Sequence, residues 1–315
     1  LARLRALLAP WFTPRHMEEL RPRIRALAEH MVDEALARSA EGSGRVDLMH
    51  ELAYPLPAII VLEMLGAPPA DADRLRAWAL EINLLFSGGG RAPVERVERA
   101  QAGLAAIRAY IGALVEERRR RPSDDLIGRL AAAEGERLDD HELISTCVTL
   151  FVAGHETTTN LIGNGLVALL QHQGEMARLR NSPELMETAV EEMLRYDPPV
   201  HRSWRIATEE VALRGQTIRP GEMVLLMIGA AHRDAAAFAE PNRFDISRRE
   251  NKHMGFGLGI HFCLGAPLAR IEAPEALRAL LARTQALQLA AEPPLHWRQD
   301  VALRGVDELH VEVRH

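Results

Sequence analysis

The stretch FGLGIHFCLGAPLAR, residues 256–270, places a single cysteine, Cys263, among Gly257, Gly259 and Gly265. Glycine adopts positive φ angles without strain and lets the backbone approach a large flat group closely. A helical pattern begins directly after the cysteine, where free backbone N–H groups and the helix dipole would stabilise a thiolate. The residues therefore favour a soft-metal ligand at Cys263.

Three other interpretations of Cys263 stay open from the residues alone. A free cysteine is most often a small buried hydrophobe. A zinc site would take His253 or His261 as further ligands, but structural zinc sites use four ligands, usually with paired Cys or His at short spacing, and the only other cysteine is Cys147. An acylating nucleophile is disfavoured because no local signature of such an enzyme accompanies the cysteine.

The segment resembles the haem-binding loop of the cytochrome P450 family, whose pattern is Phe-x-x-Gly-x-x-x-Cys-x-Gly. Four residues match this pattern: Phe256, Gly259, Cys263 and Gly265. Three further features resemble the soluble bacterial branch: Gly257, His261 and the run APLAR at 266–270. The resemblance implies that Cys263 is the axial thiolate of haem b (iron protoporphyrin IX), with Phe256, Gly257 and Gly265 against the cofactor.

A pair of charged residues, Glu192 and Arg195, stands three positions apart on a predicted helix and so shares one face. Such a pair is usually ordinary helix decoration, but it also matches the family's Glu-x-x-Arg motif. The resemblance adds Arg243, in EPNRFD (240–245), as the third member of a buried charge network. Breaking a buried pair costs about 3–5 kcal/mol, so we assign these three residues to structure and not to chemistry.

The segment AGHETT, residues 153–158, falls midway along a long apolar helical pattern. Gly154 alone would serve close packing against a neighbouring helix. The Thr157 hydroxyl can donate to the carbonyl of Ala153, four residues earlier. The segment also resembles the family's oxygen-binding groove, which implies that Ala153 and Gly154 lie against the cofactor and that Thr157 and Glu156 deliver protons to the bound oxygen.

Haem carries two propionates, which need cationic or N–H partners. The resemblance assigns Arg205, in WRIATEE, together with His261 and Arg5 to these groups. The branch commonly has a histidine four residues before this last arginine, where the present chain has Leu1.

Apolar periodicity predicts a largely helical chain. Helices are expected over 17–36, 53–69 (ending at Gly66), 71–86, 93–121, 138–173 (capped by Asp139 with Glu142), 182–200 (capped by Ser182) and 264–284. Strands are expected within 204–234 and after Pro294, and SGGGRAP (87–93) is expected to be a flexible joint. The fold class is therefore mainly α with a minor β component. The resemblance implies one cytochrome P450 domain over 1–315 that lacks the family's N-terminal part, namely most of a sheet and the loop that roofs the pocket.

Composition narrows the possible partners. The net charge of −6 disfavours nucleic acid, the apolar runs are too short to cross a membrane, and two cysteines suit a reducing cytoplasm. We expect a monomeric cytoplasmic protein.

The activity implied by the resemblance is that of a haem-thiolate monooxygenase, which inserts one oxygen atom of O₂ into a small hydrophobic substrate. No flavin or nicotinamide motif is visible, so electrons from NAD(P)H would arrive through a ferredoxin reductase and a ferredoxin, with Arg270 and Arg278 facing the acidic partner. Apolar residues expected at the pocket are Leu150, Ala153 and Val200. The alternative is a non-catalytic or degenerate haem-binding scaffold, which the missing N-terminal part favours.

Overall fold

Helices dominate the computed structural model, which describes residues 2–42, 44–83, 93–132, 138–298 and 302–314. The α-helices are α1 (Ala2–Leu8), α2 (Pro14–Glu41), α3 (Pro55–Leu65), α4 (Ala72–Asn83), α5 (Val94–Arg120), α6 (Leu126–Ala132), α7 (Asp140–Gln171), α8 (Gln173–Asn181), α9 (Met186–Tyr196), α10 (Ile228–Ala231) and α11 (Ala266–Arg283). The expected joint at 87–93 lies outside the described residues except for Pro93.

The strands are short and antiparallel. They are β1 (Arg45–Asp47), β2 (Arg202–Ile206), β3 (Val211–Leu213), β4 (Gln216–Ile218), β5 (Met223–Met227), β6 (Ala286–Leu289) and β7 (His310–Arg314). They form a three-stranded sheet in the order β1-β7-β6 and two ribbons, β2-β5 and β3-β4. The turn between β3 and β4 places Arg214 and Gly215 at positive φ, as tight hairpins require. The mainly α class with a minor β component is confirmed.

Local signals fix several helix ends. Gly66 ends α3 at φ 80° and donates its N–H to the carbonyls of Glu63 and Leu62, which is the left-handed cap that glycine adopts at least cost. Asp139 and Glu142 form the predicted reciprocal capping box at the start of α7. The Ser182 cap is wrong: its side chain makes no capping bond, because a 3-10 turn over Pro183–Leu185 precedes α9.

The long helix α7 joins two apolar cores. Its first half contributes Leu143, Cys147 and Phe151 to a core shared with α3, α4, α5 and α6. Its second half packs with α2, α9 and α11. Residues 153–158 lie between these two contributions, so both cores hold this segment in place.

Candidate active site

The cysteine loop closes on itself before α11 begins. Gly257 and Gly259 have φ angles of 70° and 69°, as the sequence predicts. The N–H of Cys263 donates to the carbonyl of Phe256 at 2.8 Å, so the loop returns the cysteine beside the aromatic residue. Gly265 does not use this freedom, since it has φ −81° as the N-cap of α11.

The sulfur of Cys263 faces a cavity at the start of α11, and its side chain is exposed there. Although the side chain is open to this cavity, partial desolvation by the protein around it raises the pKa of the thiol. The backbone N–H groups of Gly265 and Ala266 and the charges of Arg5 and Arg270 act in the opposite direction. Coordination to a metal deprotonates a thiol outright, so this environment suits a ligand more than a free thiolate.

The cavity has a volume of about 1150 Å³, slightly above the range of about 300–1,000 Å³ that is usual for ligand pockets. It brings together most residues singled out from the sequence: Arg5, Ala153, Gly154, Thr157, Arg205, Phe256, Gly257, His261, Cys263 and Gly265. Glu156 does not line it. A space of this size accommodates a large planar group together with a small molecule.

One face of α7 forms a wall of the cavity. Residues four apart on a helix lie above one another, and the wall contains the series His141, Ser145, Thr149, Ala153 and Thr157. The N-terminal part of this series is polar, because Ser145 and Thr149 carry hydroxyls. Arg108 donates a hydrogen bond to Ser145 Oγ at 2.9 Å. Leu150, Ala153 and Val200, the apolar residues expected at the pocket, line the cavity as well.

The Thr157 hydroxyl donates to the Ala153 carbonyl at 3.0 Å, as the sequence predicts. Helix α7 continues through this point without a break. A Cβ added to Gly154 would approach Val61 Cγ2 at 3.2 Å, so this glycine also permits α3 to pack closely.

Glu156 is buried on another face of α7. Its Oε1 accepts from Arg298 Nη1 at 2.7 Å, and Asn83 donates to Oε2. The sequence does not reveal this pairing, because Arg298 lies far away in the chain. A direct contact between Glu156 and Thr157 requires the carboxylate to leave these partners.

Glu272 on α11 is a site residue that sequence reasoning missed. Its side chain is fully buried and lines the cavity, and neither carboxyl oxygen has a partner with good hydrogen-bond geometry. The neighbouring Thr158 hydroxyl lies 3.4 Å from the Gly154 carbonyl, and its interaction with Glu272 lowers the pKa of that carboxyl less than burial raises it. Burial raises the pKa of Glu272 to about 8, so the group is largely protonated at neutral pH. The sequence does contain one indication of this residue: Glu272 is an acid four positions from both Leu268 and Ala276, and so lies on an otherwise apolar face of the predicted helix.

The Glu192–Arg195 pair is fully buried, with Nε–Oε2 and Nη2–Oε1 distances of 2.7 and 2.8 Å. Arg243 is not its third charged member. The Arg243 side chain is exposed and pairs with Glu240 at 3.1 Å, while only its backbone carbonyl accepts from Arg195. The second guanidinium on Glu192 belongs to Arg248, at 3.0 Å and nearly buried. The surrounding loop therefore directs Arg248 inward and Arg243 outward.

The zinc interpretation finds no support in the described ranges, where no group of three or more His, Cys, Asp or Glu side chains is arranged to hold a metal ion. His253 is engaged by Glu191, with Nε2 and Oε2 2.8 Å apart.

No helix among the described residues is long and apolar enough to span a membrane.

The residues at the cavity fit haem. Cys263 offers a sulfur ligand, and Gly257 and Gly259 keep the loop backbone free of side chains, with no atom within 4 Å of a Cβ placed at Gly259. Arg5, Arg205 and His261 offer cationic or N–H partners for two carboxylates. Arg205 Nη1 already donates to the Trp204 carbonyl at 2.8 Å, which holds its side chain along the strand.

Comparison with known proteins agrees with this arrangement. Residues 93–296 match the family model of cytochrome P450. The chain is 42% identical to polyketide biosynthesis cytochrome P450 PksS of Bacillus subtilis, over 99% of this chain and 75% of that protein, and 41% identical to cytochrome P450 monooxygenase PikC of Streptomyces venezuelae, over 99% and 73%. The crystal structure of P450BioI in complex with an acyl carrier protein ligated to hexadec-9Z-enoic acid superimposes with a TM-score of 0.93 at 36% identity, over 99% of this chain and 79% of that one. The chain therefore belongs to the cytochrome P450 family.

Proposed function

We propose that the chain, as a single haem domain over 1–315, is a haem-thiolate monooxygenase that inserts one oxygen atom of O₂ into a largely apolar organic substrate. One observation carries this proposal. Cys263 and Thr157 line the same cavity from two different elements, the cysteine loop and α7.

Members of this family bind haem b, which when bound supplies the activation of O₂. Cys263 would hold the iron, and Arg5, Arg205 and His261 would hold the propionates. The Thr157 hydroxyl, fixed toward Ala153, would hold a proton at the cavity wall. Glu156 would supply that proton after its side chain leaves Arg298.

The cavity also indicates a substrate class. Leu150, Ala153 and Val200 suit an apolar skeleton, whereas Ser145 and Thr149 suit an oxygen-bearing group at one end. A molecule of polyketide type, as in the name of PksS, combines both features.

Electrons would come from NAD(P)H through a ferredoxin reductase and a ferredoxin. Arg270 is already engaged by Glu191 in a bidentate pair. Arg21, Arg25 and Arg278 instead all contact the buried carboxylate of Glu275. Arg21 also pairs with Glu18 and Arg278 with Glu187, whereas Arg25 is about half exposed. We propose this cluster as the surface for an acidic partner, in a monomeric cytoplasmic enzyme.

The test is turnover with isotopically labelled O₂. Haem-loaded protein is combined with a surrogate ferredoxin, its reductase and NADPH, and macrolactones, fatty acids and steroids are first screened for ligands that shift the haem spectrum toward high spin. We expect one labelled oxygen per product molecule. A ligand that shifts the spectrum but yields no labelled product, although the iron is reduced, would indicate the non-catalytic scaffold instead.

A further inference from the structure

Three side chains form a charged cluster beside the cysteine loop. Arg270 on α11 makes a bidentate pair with Glu191 on α9, with Nε–Oε1 and Nη2–Oε2 distances of 2.6 and 2.9 Å. His253 Nε2 lies 2.8 Å from the same Oε2, and the N–H of Gly255 donates to His253 Nδ1 at 3.1 Å. Because Nδ1 accepts, the ring proton is on Nε2 and is donated to Glu191. The cluster thus joins two helices to the chain leading into the loop.

This cluster touches the loop through one aromatic ring. The guanidinium carbon of Arg270 lies 4.6 Å from the centroid of the Phe256 ring, within the range of a cation–π contact. Phe256 lines the cavity, and its carbonyl accepts from the N–H of Cys263 at 2.8 Å. The Phe256 ring therefore contacts both the Arg270 guanidinium and the cavity.

A second ion pair on the same two helices provides a comparison. Arg278 Nη2 lies 2.7 Å from Glu187 Oε1, also between α11 and α9. Arg278 is eight positions beyond Arg270 on α11, about 12 Å farther along the helix at 1.5 Å per residue. It stacks on no aromatic ring of the loop among the described residues. Both ion pairs connect α9 to α11, but of these two only the Glu191–Arg270 pair also contacts His253 and Phe256. Those two contacts are therefore not explained by a need to hold the helices together.

The charges of the cluster persist over a wide pH range. Burial alone would raise the pKa of Glu191, but hydrogen bonds from Arg270 and His253 outweigh it and hold the pKa at about 2. Arg270 and Glu191 are therefore both ionised at neutral pH.

We infer that the Glu191–Arg270 pair, positioned by His253, sets the reduction potential of the iron bound at Cys263. A positive charge near the site favours the reduced state, which carries one more electron, and a negative charge opposes it. Groups beyond the direct ligands are known to tune bound metals in this way. This inference rests on the proposed ligation by Cys263.

The test is a redox titration of haem-loaded protein followed by absorbance. Arg270→Gln should shift the midpoint potential to a more negative value, and Glu191→Gln should shift it to a more positive value. The matched control Arg278→Gln removes an arginine from the same helix pair and should leave the potential unchanged. Arg270→Lys keeps the charge, so its midpoint potential should stay close to that of the parent protein. This variant distinguishes the effect of charge from that of geometry if Arg270→Gln loads haem poorly.

The ferrous–CO spectrum of each variant separates this inference from the ligation on which it rests. Variants that keep a thiolate-type spectrum but show no opposite shifts at positions 191 and 270, or shifts no larger than that of Arg278→Gln, would overturn the tuning role and leave the ligation intact. A parent protein without a thiolate-type spectrum would overturn the ligation itself.

Discussion

Arg298 Nη1 lies 2.7 Å from Glu156 Oε1, so a carboxylate on the central helix α7 is held by a cation from the C-terminal part of the chain. Arg298 Nη2 also lies 2.8 Å from Asn160 Oδ1, one turn further along α7. The pair thus fastens the C-terminal segment to the central helix and holds Glu156 away from the cavity.

Arg298→Met should destabilise the protein by about 3–5 kcal/mol, because it leaves a buried carboxylate without its cation. Arg283→Met is the control, since its partner Asp33 is exposed and such surface pairs contribute about 0–1 kcal/mol. Chemical denaturation measures both changes. Equal losses in the two variants would show that Glu156 does not depend on Arg298.

The corrected charge network predicts a contrast between two arginines five residues apart. Arg248→Met removes a charged hydrogen bond to Glu192 and should cost about 1.5–3 kcal/mol. Arg243→Met removes only an exposed pair with Glu240 and should leave the free energy of unfolding close to that of the parent protein. The free energies of unfolding decide between the two assignments, and the reverse order would restore Arg243 to the network.

The local features of the structure could be predicted from the sequence. Features encoded by neighbouring residues were foreseen correctly: the positive φ angles of Gly257 and Gly259, the Asp139 cap and the Thr157 bond to Ala153. Each depends on residues within about one helical turn or on backbone conformation alone.

Long-range pairing could not be predicted in this way. Arg243 and Arg248 look alike in sequence, and only the path of the loop decides which one reaches Glu192. Arg298 reaches Glu156 across 142 positions, and no local pattern marks that contact. Glu272 lies in a segment whose sequence predicts a helix, and that pattern does not show that its carboxyl group reaches the cavity.

The raised pKa of Glu272 should make the stability of the protein depend on pH in the opposite direction to that caused by an ion-paired acid. Because its folded pKa, about 8, lies above the ordinary value of 4.5, the unfolded chain loses the proton first and stability falls between about pH 4.5 and 8. The full effect is on the order of 3–5 kcal/mol. Glu272→Gln should remove this decline and raise the melting temperature at pH 8.

Glu275→Gln is the matched control for that experiment, since burial raises its pKa but Arg25 and Arg21 outweigh this and lower it. Its folded pKa is depressed, so its contribution is present at neutral pH and is lost on acidification. The variant should therefore be less stable than the parent at pH 8. Parallel melting curves of Glu272→Gln and the parent from pH 5 to 8 would rule out a protonated Glu272.

Removal of the Thr157 hydroxyl should weaken the coupling between NADPH consumption and product formation. In Thr157→Ala the cavity loses a proton-holding group, so fewer of the electrons drawn from NADPH should end in product and more in hydrogen peroxide. Thr157→Ser keeps the hydroxyl and should stay close to the parent. Product and peroxide per NADPH are measured with a ligand that the parent protein converts, and tight coupling in Thr157→Ala would remove this role from the residue.

Ligation by Cys263 is tested most directly by the ferrous–CO difference spectrum of the purified, haem-loaded protein. The parent and the control Cys147→Ala, in which the other, buried cysteine is changed, should both show the Soret band of a thiolate-ligated haem, and Cys263→Ser should lose it. A thiolate-type band that persists in Cys263→Ser, or a parent protein that stays colourless when haem is supplied, would contradict the assignment.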